Sequence, residues 1–337
     1  MKRLLPKVRV DFLTLQANQE TIEGIDAVDR VLALAPSDAL LPKPLRGMRR
    51  SWDWGIAAQG DPRSVLLTKY LARRQASLVG GLGFRSLWGR LIVSDAAEAE
   101  SGAPFDRMSS LLAPIAGRAV RLQELVPVHP AQQSVSEALE RKIRGRRFVL
   151  FLTRPRLPLL AWPEDHWRRL ASHAARKGLL VVWAEPQPEG GSAGVSPHEP
   201  RSESLSAFAG GLSLGQIVEL ARRAAVCVGV DSVELQAAAA AGAHVLALFG
   251  PSLPSSWGPV PICGPRQWSN DEAVERLGRI VVARCGKFLD CDACDGARSC
   301  GLHPCHDRAL CMHELSSEDA ARELDRMAND GGAASAV

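Results

Sequence analysis

Two stretches of this 337-residue chain carry side chains that could do chemistry. The first, Val228 to Ser252, reads VGVDSVELQAAAAAGAHVLALFGPS: an apolar strand, a polar turn at Asp231-Ser232, an alanine-rich helix, a strand and a Gly-Pro loop. Asp231 or Ser232 can cap the helix, and the amides that follow then offer a helix N-terminus suited to a pyrophosphate. The same pair could be a helix cap and nothing more. The second stretch is Cys291-x2-Cys294, with Cys300, Cys305 and Cys311 close behind and His303, His306 and His313 nearby. A C-x-x-C turn aims two thiolates at one point, and the later cysteines can complete a tetrahedral site. A structural zinc or iron ion is therefore expected, with free thiols as the alternative. Cys227 lies in the apolar strand and is expected in the core; Cys263 and Cys285 have no assigned role.

The elements that must position these groups alternate along the chain. VRVDFLTL, RVLAL and WDWGIAA read as strands, NQETIEGI and DPRSVLLTKYLARR as helices, and ASLVGGL as a strand again. RRFVLFLT, LLVVWAE and AVCVGV read as strands in the second half, with PEDHWRRLASHAARKG and SLGQIVELARRAA as helices, the latter capped by Ser213. Strands and helices trading places over short loops imply a parallel α/β sheet, here twice in tandem. The expected architecture is α/β, two Rossmann-like doubly wound domains facing a cleft, with ligands beyond the carboxyl ends of the strands. The N-terminal domain is expected over 1–125, a proline-bearing linker near 118–134, and the C-terminal domain over 135–315 with the cysteine cluster at 285–311. A last helix over 316–329 would pack back across the domains, followed by a frayed end, and Gln187 to Ser204 reads as a mobile loop.

Composition narrows the function. The chain is 46% hydrophobic and 23% charged, with net charge +4, which falls short of a nucleic-acid binder. No apolar run is long enough to cross a bilayer, and Pro6, Lys7, Arg9 and Asp11 break any signal-peptide core. The chain reads as cytoplasmic.

The segment from Leu212 to Pro259 resembles glycosyltransferase family nine, the ADP-heptose:lipopolysaccharide heptosyltransferases, whose pattern runs D-[ST]-G-x-x-H-x-A-A-A, a strand, then F-G-P-[ST]-x-P. WDWGIAAQGDPRSVLLTKYLARR looks like the family's N-domain strand and Q-G-x-x-[KR]-S helix, and LAWPEDHWRRLA like its K-x-W-P segment. CDACDGARSC and the last helix are similar to its cysteine-bearing tail. The resemblance implies a GT-B fold with an ADP-sugar held mainly by the C-terminal domain. It implies that Asp231 contacts donor sugar hydroxyls, that Ser232, Gln236 and the amides near them face the diphosphate, and that Phe249, Gly250, Pro251 and Ser252 form the neighbouring wall. Arg63 would face acceptor phosphate, a solvated helix face being its other reading. Some family relatives that modify proteins carry iron on a similar cysteine cluster.

The chain also departs from that pattern. The family's glycine is Val233, whose branched side chain crowds a phosphate, and its histidine is Gln236. Glu234 adds negative charge where the diphosphate would sit. The K-x-W-P lysine aligns with Leu160, with Arg154 and Arg156 as possible substitutes, and the N-domain aspartate with Ala57. The opening strand and Gly-Asp loop of the family, with its general base, have no counterpart after Met1. Either Met1 is a misplaced start and a preceding piece supplies them, as an intact fold argues, or the N-domain sheet carries unpaired edges and the chain aggregates or pairs with a partner. Three readings result. The first is a heptosyltransferase-type enzyme moving a sugar from ADP-heptose to a lipopolysaccharide core or a protein, with peripheral contact at the inner membrane. The second is a degenerate relative serving as a binding or scaffold subunit. The third, a nucleotide-sugar epimerase of the same two-domain type, fits the F-G-P-S and cysteine features poorly.

Overall fold

A computed structural model describes residues 1–2, 5–16, 19–35, 42, 45–58, 62–79, 95–98, 104–121, 124, 129–130, 132–155, 157–186, 206–261, 267–289 and 309–333. The chain divides into two compact units, Met1–Glu23 with Ala27–Val126 and Gly24–Asp26 with Pro127–Val337.

The first unit alternates strand and helix: β1 (Asp11–Leu15), α1 (Gln19–Glu23), β2 (Arg30–Leu34), β3 (Trp52–Ala57), α2 (Pro62–Leu71), β4 (Ala72–Val79), β5 (Asp95–Glu98) and α3 (Pro104–Ala116). Its strands form two separate parallel sheets, β1-β2 and β3-β4-β5. Among the described residues, one edge of β1 and one edge of β3 pair with no strand. A small apolar cluster ties the two sheets together through α2: Leu34, Leu45, Leu67 and Leu71, with Leu13 and Trp52 packed against them. Helix α2 stops sooner than LLTKYLARR suggests. Ala72 already sits in register with Trp52, and the Arg74 guanidinium carbon lies 4.0 Å from the Trp54 ring, so sheet contacts claim these residues.

In the second unit the described residues form a seven-stranded sheet in the order β11-β12-β10-β9-β6-β7-β8. Its strands are β6 (Phe148–Leu152), β7 (Leu180–Pro186), β8 (Ser206–Leu212), β9 (Val226–Val230), β10 (Val245–Phe249), β11 (Val274–Leu277) and β12 (Ile280–Arg284). All neighbours are parallel except β11, which pairs antiparallel with β12. FVLFL, VCVGV and VLALF are buried throughout, as strands covered on both faces require. One face is covered by α4 (Glu137–Ile143), α6 (Leu214–Arg223) and α7 (Val233–Ala240), through Ile143, Ile217, Leu220 and Leu235. The other is covered by α5 (Glu164–Arg176), α9 (Leu310–His313) and α10 (Ser317–Ala333), through Trp167, Leu170, Met312 and Leu324; α8 (Pro254–Trp257) is a short turn after β10.

Helix α6 starts where expected, with Ser213 and Gln216 forming a reciprocal cap. Strands β8, β11 and β12 were not legible as separate elements. The fray expected from Asn329 onward is corrected as far as Ala333: α10 runs on to that residue, and the Arg147 guanidinium donates to the Ala328 carbonyl at 2.6 Å. The stretch from Gln187 to Ser204 lies outside the described residues. No helix among the described residues is long and apolar enough to cross a membrane.

Candidate functional site

Three adjacent parallel strands, β6, β9 and β10, end at one edge of the large sheet, and each hands over to a polar residue there. After β9 come Asp231 and Ser232, both buried, Asp231 with only 5% of its surface exposed. Ser232 is the N-cap of α7: its hydroxyl accepts from the Leu235 amide at 3.2 Å, and its carbonyl from the Gln236 amide at 3.2 Å. The cap takes one first-turn amide and leaves those of Val233 and Glu234 as the two that could meet an anion. After β10 the chain turns through Gly250, Pro251 and Ser252. The Ser252 hydroxyl donates to Asp231 Oδ2 at 2.8 Å, so the two strand ends are clamped to each other. Phe249 is fully buried and belongs to the core beneath this loop.

Gly250 is glycine for a spatial reason. A Cβ there would lie 2.5 Å from Met312 Sδ and 3.1 Å from Cys311 Sγ, so α9 rests directly on the loop. After β6 come Thr153, buried, and Arg154, exposed. Spacing alone could not place Arg154, but sheet order does: β6 is hydrogen-bonded to β9, so Arg154 leaves the edge beside the strand that ends in Asp231. Among the described residues Arg154 is thus an exposed cation at the edge where β9 hands over to α7.

The residues that break the sequence pattern have definite positions. Val233 is 59% exposed and covers the first turn of α7, next to Glu234. Gln236 is already engaged: its side-chain amide donates to the Trp257 carbonyl at 2.7 Å, pinning α7 to α8. Leu160 is 2% exposed, packed into the core, so that position has no room for a cation reaching outward. Ala57 is likewise buried at the end of β3. Arg63 sits half-buried in the first turn of α2, after β3, in the first unit.

Residues 43–269 match the model of glycosyltransferase family 9 (heptosyltransferase). The chain belongs to this family. It is a heptosyltransferase-type glycosyltransferase. None of the curated proteins matches it. Among solved structures it is similar to the ADP-heptose lps heptosyltransferase II of E. coli, at 16% identity and TM-score 0.66, covering 98% of this chain and 93% of that one. A family 9 glycosyltransferase from Veillonella parvula matches at 12% identity and TM-score 0.68, over 98% and 90%. E. coli heptosyltransferase WaaC, solved with ADP, matches at 16% identity and TM-score 0.61, over 97% and 92%. At these identities the likeness is one of fold, the GT-B fold of heptosyltransferases.

Of the expected metal ligands only Cys311, with His313 near it, lies among the described residues; Cys291, Cys294, Cys300, Cys305, His303 and His306 lie outside them. Within the described residues no three His, Cys, Asp or Glu side chains come together as a metal site. Cys311 is half-buried on α9, and Cys227 and Cys285 are buried. Burial in the apolar core raises the Cys227 thiol far above its ordinary pKa, so it is inert packing.

Proposed function

We propose that this family 9 enzyme transfers a sugar, heptose, from an ADP-linked donor, with the donor seated at the carboxyl edge of β6, β9 and β10. The observation that carries the reading is the convergence of Arg154, Asp231 and the first turn of α7 on one edge of three adjacent strands. In this reading Asp231, held by Ser252, receives the hydroxyls of the donor sugar, while the amides of Val233 and Glu234 and the Arg154 guanidinium face the diphosphate. The bond from the anomeric carbon to the diphosphate oxygen breaks, and ADP leaves with the electron pair. The acceptor hydroxyl oxygen bonds to that carbon and gives its proton to a base. Cationic and amide contacts lower the cost of the departing charge. The first unit would serve the acceptor, a lipopolysaccharide core or a protein, with Arg63 toward its phosphate, and the enzyme would work at the cytoplasmic face of the membrane. The cysteine segment would hold a structural zinc or iron ion.

The exposed Val233 and the Glu234 charge favour a second reading, a relative that has lost its donor and serves as a binding subunit. Calorimetric titration of ADP separates the two. The wild type is expected to bind weakly, and Val233→Gly/Glu234→Pro/Gln236→His to bind at least about tenfold tighter, by roughly 1.4 kcal/mol or more. Arg154→Ala in that background should reverse the gain. If no variant binds ADP, the binding-subunit reading stands instead.

A further inference from the structure

The amino ends of the first unit's strands gather at one edge, and that edge is basic. Asp11, which opens β1, accepts from Arg9 Nε at 3.0 Å and from Trp52 Nε1 at 3.0 Å, and pairs with Arg30 Nη2 at 3.0 Å. Trp52 opens β3 and Arg30 opens β2, with the Arg30 guanidinium carbon 5.8 Å from the Trp52 ring. Arg73 and Arg74 follow at the start of β4. The segment before β3 is fastened to the same place. The Tyr70 hydroxyl, at the end of α2, donates to the Arg46 carbonyl, and the Arg50 amide donates to the Tyr70 carbonyl at 3.0 Å. That bond holds Arg50 at φ +51, a conformation non-glycine residues rarely adopt, so its side chain leaves the edge at a fixed point.

Three carboxylates of this edge are already taken up, while Asp26, exposed in the loop before β2, makes no ion pair among the described residues. Asp11 serves Arg9 and Arg30, Asp29 pairs with Lys2 at 2.8 Å, and Asp53 faces Arg73 at 3.6 Å. Arg49, Arg50 and Lys69 are exposed and make no ion pair among the described residues. These three cations give the edge a local positive surplus in a chain of net charge only +4. We infer that this edge docks the enzyme on an anionic phospholipid surface.

Charge complementarity names a polyanion, and the aromatics choose among polyanions. Trp52, Trp54 and Tyr70 are half-buried rings with polar handles, the kind that settle among lipid headgroups. Phe12, at the second position of β1, is 42% exposed and can enter the interface with them. An RNA would want open ring faces to stack on, yet Arg30 lies over Trp52 and Arg74 over Trp54. The edge also constrains the acceptor. Arg63 lies at the other end of α2, and a ten-residue helix is about 15 Å long. An acceptor reached from the docked enzyme must therefore stand off the bilayer by about that distance, as a core sugar or a protein side chain does and a lipid phosphate does not.

The inference rests on the membrane part of the proposed function and is independent of donor binding. The test is co-sedimentation with vesicles of phosphatidylcholine alone and with about one third phosphatidylglycerol, at low and high salt. The full chain should bind only the anionic vesicles and release at high salt. Arg49→Gln/Arg50→Gln/Lys69→Gln should partition about a hundredfold more weakly. Arg168→Gln/Arg169→Gln/Arg176→Gln, on α5 of the other unit, should partition as the wild type does. Arg49→Gln/Lys69→Gln, which leaves the strained Arg50 alone, guards against misfolding and should lose about thirtyfold. Absence of wild-type binding overturns the membrane reading altogether. Binding that survives the edge substitutions, or that RNA outcompetes, overturns only the assignment of this edge.

Discussion

Ser252 and Asp231, 21 residues apart in sequence, are joined across neighbouring strand ends by a 2.8 Å bond from the Ser252 hydroxyl to a carboxylate oxygen. Both residues are buried, Ser252 at 1% exposure. A buried carboxylate is costly unless hydrogen-bond donors meet it. Ser252→Ala removes one donor and is expected to cost about 1.5–3 kcal/mol, the range for a hydrogen bond to a charged group. Urea unfolding of the two proteins checks this. A loss under about 0.5 kcal/mol would mean that other partners satisfy Asp231 without Ser252.

The loop they share is also held from above. Because a Cβ at Gly250 would meet Met312 Sδ at 2.5 Å, Gly250→Val must displace α9 or the loop. The expected cost is about 1–3 kcal/mol of overpacking. Met312→Ala opens space at the same point, so the double variant should recover part of that loss. A thermodynamic cycle with no coupling between the two positions would show that they do not press on each other.

Much of this site was legible in the sequence because it is local. A buried strand, a polar cap and an alanine helix fall within one short run, and Ser232 caps α7 as that run implies. What could not be read was set by sheet order. Arg154 and Asp231 are 77 positions apart in number, yet β6 lies beside β9, so they leave the same edge. Trp257 as the acceptor for Gln236, and Met312 as the lid on Gly250, are likewise long-range choices that no periodicity records. Strands β11 and β12 escaped for a different reason. EAVERLGRIVVARC alternates weakly, and its antiparallel turn at Gly278 interrupts what looks like one continuous segment.

The open edges of the first unit make a prediction about association. One edge of β1 pairs with no strand among the described residues, and Phe12 and Leu15 on that strand are each 42% exposed. Unpaired backbone beside exposed apolar side chains is a template for pairing with another chain. The chain from Met1 is expected to associate in sedimentation velocity runs, and Phe12→Lys/Leu15→Lys to shift it toward monomer. A wild type that sediments as a monomer at all concentrations would defeat this expectation.

The cysteine segment can be tested without reference to the donor. Protein purified without a metal-binding tag should carry about one zinc or iron ion per chain, the stoichiometry of a single four-thiolate site. If the proposed ion is held there, Cys291→Ser/Cys294→Ser should remove it and speed proteolysis before α9, as loss of a structural metal does. Retention of one ion by that variant would exclude the C-x-x-C pair as ligands.

Acid should weaken the second unit first at His244. Its ring is half-buried just before β10, and burial lowers its pKa from the ordinary 6.5; the Arg279 guanidinium pushes the same way and Asp330 opposes it. The folded state therefore binds a proton at His244 less readily than the unfolded chain does. The sign follows from linkage: the stability is fully present above pH 6.5 and is lost as pH falls from there through the lowered folded value. The carboxylates whose pKa values are lowered act later. Arg223 hydrogen-bonds Glu140 and holds it below 4.5, and Glu124, bonded by Arg118, falls to about 2, so both pairs weaken only in stronger acid. Between about pH 7 and pH 5.5 the histidine is thus separable from them. Thermal melting across that interval should show a falling midpoint in the wild type and a flatter profile in His244→Gln, which cannot take up the proton. Parallel profiles would place the acid sensitivity elsewhere in the fold.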